Sequence, residues 1–246
     1  MPGPRSRESR QALHARANEV VRRLISTYPA DHPARPRGTH RDPLDELIFT
    51  VLSQNTSDVN RDRAWASMKR AFPRWTDVLG APPRELEDAI RMGGLAKTKT
   101  PRIQAILREI LEREGRVSLA KLRRMSDEDV EAYLEALPGI GPKTVACVLA
   151  FSLERPVLPV DTHVHRIGER LRLYPRKTPE AKAQRVYESL VPPEDRIETH
   201  VSLIAHGRTT CTALRPACER CVLADLCPSA GPFLRARRNK TLARPV

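Results

Sequence analysis

The chain has no apolar run long enough to cross a bilayer. Its longest, Val145 to Leu153, is less than half of the roughly 20 residues a membrane helix needs, so no membrane role is expected. The first residues, Met-Pro-Gly-Pro-Arg-Ser-Arg, lead into no apolar signal segment, which points to an intracellular protein of the cytoplasm or nucleoid. Cysteines in such a compartment stay reduced, so a disulfide framework is not expected. No stretch alternates apolar and polar residues with period two, and no internal repeat is present, which argues against a sheet protein and leaves an all-α reading.

Acidic residues are scarce at both ends. The formal net charge is +13, and residues 1–41 together with 228–246 account for eleven of those charges, while the remainder of the chain is nearly balanced. A polyanion partner follows from the excess, most simply nucleic acid, held by a local basic groove with two basic arms rather than by a uniformly coated surface.

Apolar residues at three- and four-residue spacing predict a series of helices. Leu13, Ala17, Val20, Val21, Leu24 and Ile25 form one face that stops before Pro29, and a Pro- and Arg-rich linker, Asp31 to Arg41, follows. Asp42-Pro43 reads as N-cap and first residue of a helix whose body, Leu47 to Leu52, is apolar nearly all round and therefore central. Further helices are expected from Asp58 to near Phe72, from Pro83 to Gly93-Gly94, from Thr100-Pro101 to Gly115, after the cap Ser126, after Thr178-Pro179, and from about Glu194 to His206.

Four of the five cysteines fall within seventeen residues, as Cys211, Cys218, Cys221 and Cys227 with spacing C-x6-C-x2-C-x5-C. Thiolates so close in sequence can converge on one centre. The unequal gaps argue against a zinc ribbon and put a [4Fe-4S] cluster ahead of tetrahedral zinc and of free or paired cysteines. Cys147, in the apolar stretch, reads as a small core residue.

The string Leu137-Pro-Gly-Ile-Gly-Pro-Lys-Thr144 joins two expected helices. Gly139 and Gly141 let the backbone turn sharply, and the next helix opens at Pro142 with its positive end aimed at the same place, so a phosphate fits there. Such a clamp grips backbone and carries no sequence preference. Lys143 could be one more phosphate contact. Its place in the first helical turn disfavours the ammonium form and makes a neutral, nucleophilic amine accessible. Eighteen residues on, Asp161 in Val160-Asp161-Thr162-His163 is a plausible N-cap, and a carboxylate held ionised there can also stabilise a sugar cation.

The hairpin LPGIGPKT, the segment VDTHVHR and the cysteine loop, in this order and spacing, resemble the endonuclease III family of DNA glycosylase and AP lyases, from about Asp42 to Cys227. The resemblance implies an all-α, two-lobed fold: residues 9–35 with 156–227 as an iron–sulfur lobe, and 36–155 as a six-helix barrel lobe with the helix-hairpin-helix. Residues 1–8 would be a disordered basic N-terminus and 228–246 a basic tail. Lys143 matches the family's nucleophile, Asp161 its catalytic aspartate, and the four cysteines its cluster ligands. Gly139, Gly141 and Thr144 belong to the DNA-gripping hairpin. Leu52 to Asp58 resembles the loop that fills the hole left by an extruded base, with Asn55 in the key place and Gln54 beside it. Gly94 to Lys97 resembles a second loop, whose Leu95 would wedge into the opposite strand.

The activity so implied is removal of oxidised pyrimidines from duplex DNA through a lysine Schiff base, with strand nicking by β-elimination. A base within a duplex must first be extruded. The partner would be duplex DNA bearing damaged bases or abasic sites, and the protein a monomer. The adenine-mismatch branch lacks the lysine and carries a glutamate five residues before the position of Asn55, where this chain has Thr50. A monofunctional mismatch or uracil glycosylase, and a non-catalytic iron–sulfur DNA-binding protein, are the alternatives; the latter would not need both Lys143 and Asp161.

Overall fold

The computed structural model describes residues 9–33 and 41–235. The N-terminal segment 1–8, residues 34–40 of the linker and residues 236–246 of the basic tail lie outside the described residues. The described residues include the α-helices α1 (Arg10–Thr27), α2 (Pro43–Ser53), α3 (Asp58–Ala71), α4 (Trp75–Gly80), α5 (Pro83–Ile90), α6 (Ala96–Glu114), α7 (Asp127–Glu135), α8 (Pro142–Phe151), α9 (Thr162–Leu171), α10 (Glu180–Leu190) and α11 (Arg196–Thr209). Among them no strand is present, and no helix is long and apolar enough to cross a membrane. The chain divides into two compact units, residues 37–155 and residues 1–36 with 156–246.

In the unit 37–155, α2 is the central helix. Its residues Leu47, Ile48, Val51 and Leu52 are wholly buried, and it packs on α8, α3 and α6. Burial of each such side chain contributes about 1.5–3 kcal/mol. Asp42 caps α2 by accepting from the amides of Leu44 and Asp45, and Ser57 and Ser126 do the same for α3 and α7. Cys147 is buried in α8.

Helix α6 starts at Ala96, four residues before the expected Thr100-Pro101. Pro101 sits inside it, in the second turn, so the proline does not mark the helix start. The 3₁₀ turn Arg91–Gly93 and Gly94-Leu95 therefore enter α6 directly.

In the other unit, Ala17, Val20, Val21 and Leu24 of α1 are buried in one core with Val164, Ile167 and Leu171 of α9 and Leu203 of α11. Helix α11 begins at Arg196, two residues after the expected Glu194, because Pro193–Asp195 form a 3₁₀ turn. The basic tail opens with a helical turn, residues 230–235, in which Ala230 is buried.

Candidate functional site

In the unit 37–155, three loops with the expected DNA-contacting residues are joined to the first half of α6. The first follows α2. Gln54 ends that helix, Asn55 adopts the left-handed conformation (φ 54°) and is exposed, and Ser57 starts α3. The Arg102 guanidinium of α6 donates to Gln54 Oε1 at 2.9 Å. Gln54 is thus engaged by a protein partner, while the next residue, Asn55, is exposed.

The second loop is Gly94-Leu95. Both residues have positive φ, 67° and 52°, and Leu95 is 54% exposed. A leucine in the left-handed region is uncommon and strained, and strain of this kind is found where a side chain must be presented. Lys99, one turn into α6, is 3% exposed, and its ammonium donates to Leu52 O at 2.7 Å and Gly93 O at 2.9 Å. Burial pushes Lys99 down to about 8.

The third loop is the hairpin. Gly139 has φ 68°, and a Cβ there would lie 2.7 Å from Arg102 Nε. Gly141, at φ −118°, is the N-cap of α8, and a Cβ on it would meet nothing within 4 Å. Leu137, Ile140 and Thr144 are buried and anchor the turn. Pro142 is the first residue of α8, and the half-buried Lys143 is the second.

In the other unit, Asp161 caps α9 through Oδ1, which accepts from the amides of His163 and Val164, both at 2.8 Å. One turn later Arg166 donates to Cys211 O at 3.0 Å and Gly207 O at 3.1 Å, and it lies 3.0 Å from His163 Nδ1. Burial lowers the His163 pKa, which suits an acceptor Nδ1 facing the guanidinium. Arg170 follows and donates to Cys211 Sγ at 3.1 Å, Thr212 O at 2.8 Å and Ala213 O at 2.7 Å. Helix α9 therefore carries Asp161 at its start and grips the cysteine loop further along.

Cys211, Cys218, Cys221 and Cys227 line one cavity, closed by Ile167, Leu171, Leu223 and Phe233 among others. Among the described residues no three His, Cys, Asp or Glu side chains converge closely enough to hold a single metal ion. Thiols spread around an apolar cavity fit a multi-iron cluster better than one zinc ion. Burial pushes the Cys221 thiol up to about 11 and raises Cys218 and Cys227 as well, so loading such a group must displace thiol protons.

Cys221 has a further neighbour. His206 Nε2 lies 3.7 Å from Cys221 Sγ, and His206 Nδ1 lies 3.0 Å from the Tyr28 hydroxyl of the residue that ends α1. Burial drives His206 down to about 4, which keeps the ring neutral. With the hydroxyl donating to Nδ1, the ring N–H is on Nε2 and faces the sulfur. Sequence reasoning missed Lys99, Arg102, Arg166, Arg170 and Tyr28. Only the helical i, i+4 spacing of Arg166 and Arg170 behind Asp161 could have pointed to any of them.

The family model of the HhH-GPD superfamily base excision DNA repair protein matches residues 48–193, more than half of the chain, and that of the iron–sulfur binding domain of endonuclease III matches residues 211–227, from the first clustered cysteine to the fourth. The chain is 41% identical over 165 residues to an Arabidopsis thaliana protein named as a DNA glycosylase, a match spanning 67% of this chain and 56% of that protein. It is 33% identical over 228 residues to endonuclease III of Thermotoga maritima, covering 91% of this chain and 98% of that one. The solved structure of a trapped endonuclease III–DNA covalent intermediate superposes with a TM-score of 0.77 at 26% identity, covering 90% of this chain and 99% of that one. From the hairpin, the cysteine-lined cavity and these matches, the chain belongs to the HhH-GPD superfamily of base excision DNA repair proteins, within its endonuclease III family, and its cofactor is a [4Fe-4S] cluster.

Proposed function

We propose that this DNA-binding glycosylase and AP lyase of base excision repair removes oxidised pyrimidines, with Lys143 as nucleophile and Asp161 as the carboxylate that supports it. The observation that carries the reading is the place of Lys143, half-buried at the second residue of α8, directly behind the glycine turn of the hairpin. The hairpin holds DNA phosphate through backbone groups at Gly139 and Gly141. Thr144, buried and with its amide donating to Gly141 O at 2.9 Å, serves the clamp by fixing the turn. The Lys143 amine attacks the sugar C1′ and the damaged base departs with the bonding pair, taking a proton. The nitrogen lone pair then opens the sugar ring by breaking the C1′–O4′ bond, O4′ taking a proton, and the resulting iminium acidifies the 2′ proton; its loss breaks the C3′–O bond, the 3′ phosphate leaves, and the strand is nicked. The Asp161 carboxylate, at the start of α9, offsets the developing positive charge.

Asn55 is the residue that enters the hole left by the base, since Gln54 is held by Arg102 whereas Asn55 is exposed. Leu95 parts the opposite strand. Cys211, Cys218, Cys221 and Cys227 ligate the cluster, which shapes the loop carrying the exposed Arg215. The protein acts as a monomer on damaged or abasic duplex. The adenine-mismatch reading finds no support at Thr50, which is buried with its hydroxyl 3.3 Å from Glu46 Oε1.

Borohydride treatment tests the reading. It should trap a covalent adduct with abasic duplex, and Lys143→Gln should lose the adduct while still binding DNA. Asp161→Asn should impair turnover far more than binding. Normal trapping by the Lys143 variant would assign the nucleophile elsewhere.

A further inference from the structure

The buried ammonium of Lys99 stands against two ordinary preferences. A cation in the first turn of a helix faces the positive end of its dipole, and burial removes it from water. What it gains is two carbonyls. Leu52 O belongs to the last turn of α2, where helix carbonyls have no partner further along, and Gly93 O ends the 3₁₀ turn before Leu95. Both are negative ends of helical segments, so one ammonium caps two chain ends.

These two carbonyls lie three residues before Asn55 and two before Leu95. The backbones already approach closely here: a Cβ on Gly93 would be 3.0 Å from Ala64 Cβ and 4.0 Å from Leu52 O. Arg102, three residues after Lys99 on the same helix face, holds Gln54. Both loops are therefore fastened to α6, and Lys99 is the group that touches both.

We propose that Lys99 is a positioning residue that locks the Asn55 and Leu95 loops into one rigid pincer, so that filling the vacated stack and parting the opposite strand occur as one event. The proposal rests on the reading of Asn55 and Leu95 given above. A low-dielectric pair of charge-assisted hydrogen bonds fixes the distance between the loops more firmly than an apolar contact would. Loss of Lys99 should slow extrusion of a paired base and leave the covalent chemistry on an already baseless sugar nearly intact.

The test uses full-length, cluster-loaded protein and Lys99→Met, which keeps an unbranched side chain one atom shorter and removes its donors. Extrusion is followed by stopped-flow fluorescence of 2-aminopurine placed beside an oxidised pyrimidine, and chemistry by the rate of borohydride-trapped adduct on abasic duplex. The variant should slow the fluorescence rise and base release about tenfold or more, with adduct formation within about threefold of the unaltered protein. Equal loss in both assays would reduce Lys99 to a general structural role, and loss in neither would remove it from the reaction. Asn55→Ala and Leu95→Ala run in parallel. If neither slows extrusion, the assignment of those two residues fails; if they do and Lys99→Met does not, the pincer fails alone.

Discussion

Arg170 grips Cys211 at both its side chain and its backbone: one guanidinium nitrogen lies 3.1 Å from Sγ and 3.4 Å from the carbonyl oxygen. The same side chain reaches Thr212 O and Ala213 O, and its guanidinium carbon lies 5.1 Å from the centre of the Phe233 ring. A planar fork with five donors can serve these acceptors together, and an ammonium cannot.

Arg170→Lys and Arg170→Met should both therefore weaken the cluster site. Hydrogen bonds to charged groups contribute about 1.5–3 kcal/mol each, so a loss of about 2–4 kcal/mol is expected. Iron and sulfide content after purification and the melting temperature are the measurements. Full iron content in the lysine variant would show that the fork geometry is not needed.

Tyr28→Phe should unlock the His206 ring. The hydroxyl lies 3.0 Å from Nδ1, and its removal takes away the hydrogen-bond partner of a buried nitrogen at a cost of about 1–3 kcal/mol. Iron should be released to a chelator faster than from the unaltered protein. An unchanged release rate would mean that the contact with Cys221 does not depend on the tautomer.

Cluster removal should act on one unit. Desolvated thiols would be left in the cavity, whereas both tryptophans of the chain, Trp65 and Trp75, pack 6.0 Å apart in the unit 37–155. Far-ultraviolet circular dichroism should fall while tryptophan emission holds its wavelength. A red shift concurrent with iron loss would contradict this.

The two hairpin glycines should separate stability from binding. Gly139→Ala places a Cβ against Arg102 at a left-handed residue, so about 1–2 kcal/mol of conformational strain adds to the clash. Gly141→Ala meets no neighbour and should leave the melting temperature nearly unchanged while weakening affinity for undamaged and damaged duplex alike. Equal destabilisation by the two would remove the distinction.

Truncation after Arg235 removes Arg237, Arg238, Lys240 and Arg244. Each phosphate contact steepens the salt dependence of binding by about 0.9, so the slope should flatten by at most about 3.6 with lesion preference kept. Truncation after Cys227 also removes Ala230 and Phe233, which line the cluster cavity, and should lower iron content as well. Identical iron content in the two truncations would sink the second expectation.

Local chemistry made much of this protein legible in its sequence. Asp42, Ser57, Ser126 and Asp161 cap their helices through bonds that reach only two or three residues, and the Gly139 turn needs a conformation that glycine adopts readily. The spacing of the four cysteines and the apolar circumference of α2 are equally local. The early start of α6 was not, because Pro101 looks like a first helical residue when it lies in the second turn. Nor does the sequence show that Gln54 is held by Arg102, 48 residues away. Lys99 reaches back 47 residues to Leu52, Arg170 forward 41 to Cys211, and Tyr28 forward 178 to His206. Periodicity records which face of a helix is buried but not which distant carbonyl or sulfur it meets. Those partners were decided by tertiary packing, because a buried donor takes the acceptors that the folded chain brings within reach.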